Sequence, residues 1–187
     1  MQGRTEPRAL SNFRDTGHAV YIGKEQAMSD LNTPLLVAIA WMVTLCLVGG
    51  LMTPRADWYA NLRKPPWQPP GWAFGPGWTI ILGLAAWAGV RAWNAGDAAE
   101  RTSVLILFGV NGIFHLLWSP LFFKLQRPDW ALIEVPFLWI SVLAMVIGLW
   151  PIDRLAALLI LPYLGWVAFA STLNWAVVAL NPRDATG

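Results

Sequence analysis

Between residues 53 and 77 the chain sets Trp58, Tyr59, Trp67, Trp72 and Phe74 among six prolines, counting Pro54. Prolines hold such a segment stiff and extended, and large rings need an apolar surface or a flat partner to rest on. An interfacial aromatic belt accounts for two or three of these rings. It does not account for the proline spacing. A rigid loop with its rings directed inward would instead be a lid over a cavity between helix ends, a place where bundles hold ligands. Other residues able to do chemistry are sparse. His115, Glu134 and Asn174 are polar groups inside long apolar runs, and Cys46 is the single cysteine. One cysteine excludes a disulfide framework and a cysteine-based metal site. No nucleophile–base pair, nucleotide loop or metal cluster is evident, so conventional catalysis lacks its apparatus and no metal is expected.

The elements that must position these residues are membrane helices. Of 187 residues 56% are apolar and only 13% charged, about half the charge of an ordinary soluble domain. A net charge of +2 gives no case for nucleic acid. The charges fall in clumps, leaving uncharged runs of 18 residues at Leu35–Met52, 26 at Pro65–Val90, 22 at Thr102–Phe123, 18 at Val135–Ile152 and 28 at Leu155–Pro182. A crossing needs about 20 mostly apolar residues, so each run holds one span. The expected fold is an all-α bundle of five transmembrane helices with the Pro/Trp-rich lid loop between helices 1 and 2. Because Pro65 to Pro76 break helix, the second span is expected to start near Gly77 and to end around Trp93. Thr33-Pro34 opens the first span, Asn94-Ala95-Gly96-Asp97 closes the second, Arg127-Pro128-Asp129 separates the third from the fourth, and Trp150-Pro151-Ile152-Asp153 turns into the fifth. Pro120, Pro136 and Pro162 predict kinks.

Residues 31–182 form the membrane domain, with a polar tail at 1–30 and a short tail at 183–187. The first tail is neutral, lacks a signal-peptide core, and contains Met28 as an alternative start. Short loops alternate sides. One side holds Arg91, Arg101 and Arg154, and the other Arg55, Arg63, Lys64, Lys124, Arg127 and Arg183. The positive-inside bias then puts the first loop and the C-terminus in the cytoplasm. Small residues at Ala85/Gly89, Ala144/Gly148 and Ala168/Thr172, with Gly109 and Gly112, suit close helix packing within one chain or in a homodimer.

The run Trp58-Tyr59-Ala60-Asn61-Leu62-Arg63-Lys64-Pro65-Pro66-Trp67-Gln68-Pro69-Pro70-Gly71-Trp72-Ala73-Phe74-Gly75-Pro76-Gly77-Trp78-Thr79 resembles the signature of the TspO/MBR family. These are the tryptophan-rich sensory proteins, related to the mitochondrial translocator protein. Trp118-Ser119-Pro120-Leu121-Phe122-Phe123 and the stretch Leu161 to Asn174 resemble that family too, so the likeness runs from about Leu35 to Asn181. It implies a five-helix bundle whose cavity is closed by the first loop. It also implies a receptor or sensor for tetrapyrroles such as protoporphyrin, with benzodiazepine-type drugs as further ligands, a homodimer, and no required cofactor.

By motif position the ligand-binding residues are Trp58, Trp67, Trp72, Phe74, Trp78, Trp118, Trp166, Ala170 and Asn174. Some bacterial members are linked to light- and oxygen-dependent breakdown of protoporphyrin, and the two tryptophans tied to it fall on Trp78 and Trp166. In that alternative these two are the catalytic residues, giving up an electron to the excited ring. A transporter of porphyrin or sterol is the third reading; a single intramembrane acid is thin support for it. The sterol pattern fails at all three tyrosines, and Trp175 stands near Asn174 where sterol binders carry Tyr, which argues against cholesterol. His115 departs from the family's usual Asn. Its imidazole could ligate haem iron, but the expected role is that of a hydrogen-bonded core group. Glu134, five residues past Asp129, is expected to reach the interface.

Overall fold

The computed structural model describes residues 32–52 and 56–182, with side chains described from Trp58 onward in the second stretch. The two tails expected at 1–30 and 183–187, and with them Met28, Arg55 and Arg183, lie outside the described residues. Helix α1 spans Asn32–Met52. It is followed by a short α2 (Ala56–Asn61), a 3₁₀ turn (Gly71–Ala73), α3 (Phe74–Ala95), α4 (Ala98–Ser119), a π turn (Pro120–Lys124), α5 (Pro128–Leu149) and α6 (Arg154–Leu180). Five of these helices (α1, α3, α4, α5 and α6) are long and apolar enough to cross a bilayer, the number expected from the uncharged runs. Among the described residues there is no strand.

The helix starts differ in detail from the expectation. Helix α3 begins at Phe74 rather than near Gly77, so Pro76 lies inside its first turn. That position tolerates proline because first-turn amides have no intrahelical acceptor. Likewise Asn32 and Thr33 already belong to α1, and Pro34 sits in its opening turn. Gly96 closes α3 in extended geometry, and Asp97 caps α4 through a reciprocal pair of bonds with Glu100 at 2.9 and 2.8 Å. Asp153 caps α6 by accepting from the Ala156 amide at 3.0 Å. At Pro120 the chain widens into a π turn instead of kinking, with the Leu125 amide donating to the Pro120 carbonyl at 2.9 Å. Pro136 and Pro162 remain within continuous helices.

The five long helices form a ring. Helix α5 packs between α4 and α6, and α3 packs on α6. Helix α1 lies in the groove between α3 and α4: the Trp41 indole donates to the Phe108 carbonyl at 3.1 Å, and Met42 lies against Gly83. It is the least enclosed span, with 6% of its apolar window buried against 28–39% for the others. Lipid tails supply no hydrophobic drive between helices, so close packing and polar bonds must hold the ring together. Ala85, Ala88 and Ala92 of α3 and Ala156 and Ala157 of α6 are fully buried, which brings backbones close. A Cβ on Gly148 would come 2.7 Å from Leu107, and one on Gly89 3.1 Å from Phe108. Those two small residues are therefore used within the chain. At the end remote from α2, Arg91 pairs with Asp153 at 2.7 Å and ties α3 to the α5–α6 turn.

Candidate functional site

Trp78, on the second turn of α3, meets three rings edge-on. Its centroid lies 4.9 Å from His115 of α4 and 6.1 and 6.0 Å from Tyr163 and Trp166 of α6. Trp166 reaches Phe74 at 6.0 Å and Phe169 at 5.8 Å, and Phe169 in turn meets Trp67 at 6.1 Å. The close approach depends on Gly77, where an added Cβ would stand 2.9 Å from the Trp166 ring. Edge-on contacts of this kind are a favoured arrangement of packed aromatic rings.

Beneath Trp78 runs a buried polar chain. His115 Nδ1 lies 2.8 Å from the Tyr163 hydroxyl, which donates to Asn111 Oδ1 at 3.2 Å. Asn111 Nδ2 donates to Ser141 Oγ at 2.9 Å, and Ser141 donates to the Leu138 carbonyl at 2.7 Å. With the phenol proton directed to Asn111, His115 donates to Tyr163 from Nδ1; with the other tautomer the phenol donates to His115 instead. The chain joins α4, α5 and α6 into one layer. His115 is thus the hydrogen-bonded core group expected of it. Its partner, 48 residues away, was not legible.

Above Trp78 the polar groups are not satisfied. Glu134 is 8% exposed and both its carboxyl oxygens lack a partner. The expectation that Glu134 reaches the interface is therefore corrected: it shares the interior face of α5 with Ala131, Leu138 and Ser141. The buried indole N–H groups of Trp118 and Trp166 and the Oδ1 of Asn174 are unpartnered as well. Asn174 Nδ2 donates to the Pro128 carbonyl at 3.2 Å, an interhelical bond.

The segment from α2 to the 3₁₀ turn packs at this end of the bundle. Trp58 and Tyr59 pack on Phe122 at 6.1 and 6.0 Å. Burial raises the Tyr59 phenol above its usual range, against a weak contact with Gln68 at 3.4 Å. Asn181 clamps the segment to the end of α6, accepting from the Arg63 amide at 2.8 Å and donating to its carbonyl at 2.9 Å.

Of the site residues expected from the sequence, Phe74, Trp78 and Trp166 form one aromatic cluster that Trp67 joins through Phe169. Trp118 stacks on Phe122 at 5.1 Å and belongs with Trp58 in a second cluster. Asn174 is buried on α6 above Tyr163, and Ala170 is half-buried on the same helix. Trp72 is 76% exposed and outside both clusters. Sequence reasoning missed Asn111, Ser141 and Tyr163. The four-residue step from Asn111 to His115 and the seven-residue step from Glu134 to Ser141 each put polar groups on one helix face. Among the described residues no group of three His, Cys, Asp or Glu side chains could hold a metal. An outer groove of about 510 Å³ between α5 and α6 is lined by Leu132, Val135, Pro136, Trp139, Ala168 and Ser171, and it is apolar.

The profile of the TspO/MBR family matches residues 36–180. The chain is 35% identical to the tryptophan-rich protein TspO of Chlorobaculum tepidum, a match covering 79% of this chain and 98% of that protein. It is 33% identical to protein CrtK of Rhodobacter capsulatus over 80% of this chain and 94% of that one. With the translocator protein of Sus scrofa it shares 32% identity over 77% and 89% of the two chains.

Proposed function

The chain belongs to the TspO/MBR family, and from that premise we propose that this multi-pass membrane protein is a receptor that binds a tetrapyrrole, such as protoporphyrin, inside the helix ring. The observation that carries this reading is the cluster around Trp78, where rings from α3, α4 and α6 converge edge-on under the Pro/Trp-rich segment. A macrocycle there would lie against Trp78, Trp166 and Phe74, with Ala170 leaving space and the 58–73 segment serving as the lid. Binding would draw on apolar burial and ring contacts, with no cofactor required. We place this lid end on the cytoplasmic side, because Arg63, Lys64, Lys124 and Arg127 lie there against Arg91, Arg101 and Arg154 at the other end.

One observation favours a second reading, photo-oxidative breakdown of the bound porphyrin. Trp78 and Trp166 lie 6.0 Å apart, close enough for an electron taken from one by an excited macrocycle to be replaced by the other. A dark titration with protoporphyrin, followed by tryptophan quenching, tests the receptor reading. Saturable quenching that weakens at least several-fold in Trp78→Phe supports it, and quenching that never saturates overturns it. Illuminating the saturated complex separates the readings: protein-dependent loss of the porphyrin spectrum, absent in Trp78→Phe and Trp166→Phe, assigns turnover.

A further inference from the structure

The interior of the bundle has two polar layers of matching register, and in only one are the polar groups hydrogen-bonded to each other. In the lower layer Asn111 of α4 bonds both Ser141 of α5 and Tyr163 of α6. Seven residues, or about 10.5 Å, further toward the lid on each helix lie Trp118, Glu134 and Ala170. Helices α4 and α5 run antiparallel, so adding seven on one and subtracting seven on the other keeps the faces opposed. By that register Trp118 and Glu134 occupy opposed positions on α4 and α5, as Asn111 and Ser141 do. In the lower layer the third corner is the Tyr163 side chain, which is fully buried. In the upper layer that corner is an alanine. The polar groups here are the Trp118 N–H and the Glu134 carboxyl, with the Trp166 N–H about one turn above Tyr163, and all three are buried without partners.

Buried polar groups without partners are rare, and a carboxyl group inside a bundle with neither counter-charge nor hydrogen bond is rarer still. Two N–H donors and a carboxyl, all buried without partners, suit one kind of guest group. We propose that this layer is the receiving point for a carboxyl group of the ligand, with Glu134 as the residue that selects it. The two indoles donate to the ligand carboxyl oxygens. Glu134 and the ligand group share one proton in an O–H···O bond, as paired carboxyls do. This deepens the tetrapyrrole reading and rests on it, since protoporphyrin carries acid side chains at the edge of a flat ring. It makes Glu134 a specificity residue that distinguishes the acid from its ester.

The test compares dark binding of protoporphyrin and its dimethyl ester to the full chain in lipid nanodiscs. Wild type should prefer the acid by about tenfold, the worth of one charge-assisted bond. Glu134→Leu and Trp118→Phe should each bring that ratio close to one by weakening binding of the acid about tenfold more than that of the ester, and Glu134→Gln, which retains a donor, should fall between. Should Glu134→Leu fail to fold, Trp118→Phe carries the same comparison. A preference for the acid unchanged in these variants overturns the proposal and leaves the layer as a water site. Equal affinity for acid and ester in wild type overturns it also, with tetrapyrrole binding intact. Saturable binding of neither compound is a different failure, that of the tetrapyrrole reading and of this proposal with it.

Discussion

Replacing Tyr163 with Phe removes one oxygen from the centre of the lower polar layer and leaves the ring packing in place. The hydroxyl serves two partners, His115 Nδ1 at 2.8 Å and Asn111 Oδ1 at 3.2 Å. Tyr163 is fully buried and His115 is 8% exposed, so bulk water does not readily replace what is lost. In soluble proteins each buried group orphaned in this way costs about 1–3 kcal/mol. Interhelical bonds in bilayers average about 0.6 and reach about 1.7 kcal/mol, because the helices find other partners when apart. Two lost bonds therefore predict a destabilisation of about 1–3 kcal/mol, taking the bilayer scale for each. The assay is reversible SDS-driven unfolding in bicelles, with His115→Phe and the double variant completing a cycle. The double variant should cost less than the sum of the singles by at least about 0.5 kcal/mol, since both remove the same bond. A cost below about 0.3 kcal/mol for Tyr163→Phe, or strict additivity, would refute the view that this layer couples α4 to α6.

Three further outcomes follow from the geometry. Gly77→Ala should force the Trp166 ring aside, since the new Cβ would lie 2.9 Å from it, and so shift the tryptophan emission and weaken porphyrin quenching; an unchanged spectrum and affinity would contradict the packing. Asn181→Ala should speed amide exchange at Arg63 by about tenfold, because both bonds from Asn181 to the Arg63 backbone are lost. Burial alone would raise the Asp153 carboxyl, but the Ala156 amide and Arg91 outweigh it and hold it below its ordinary 3.8. Its contribution is therefore present above that value and is lost as pH falls through the lower folded one; the acid-side slope of stability between about pH 5 and 3 should flatten in Asp153→Asn, which keeps the helix cap.

The spans were legible because charge is costly in lipid, so the uncharged runs mark the crossings directly. The start of α3 was misread because Pro76 was taken as a helix breaker at a position where its missing amide costs nothing. Pro120 marked a disturbance correctly, but whether a helix kinks or widens depends on which carbonyls the next turn can reach. Of the candidate site, the motif residues Phe74, Trp78 and Trp166 were legible and come into ring contact with one another. Trp72 was the exception, since proline spacing fixes a segment's stiffness but not which way each ring turns. Glu134 was misplaced because its distance in sequence from Asp129 gives its depth and not its side of the helix; its seven-residue spacing from Ser141 carried that information. The bond between His115 and Tyr163 spans two helices and has no local signature.

The central claim is that the ligand lies within the ring of helices and not on its lipid face. Photo-crosslinking with a diazirine-bearing protoporphyrin, followed by peptide mapping, tests this most directly. Labels are expected on α3 at Phe74–Trp78, on α4 at His115–Trp118 and on α6 at Trp166–Ala170, competed away by unlabelled protoporphyrin. Competable labels confined to Leu132, Pro136, Trp139 and Ser171 would instead place the ligand in the outer groove between α5 and α6 and contradict it.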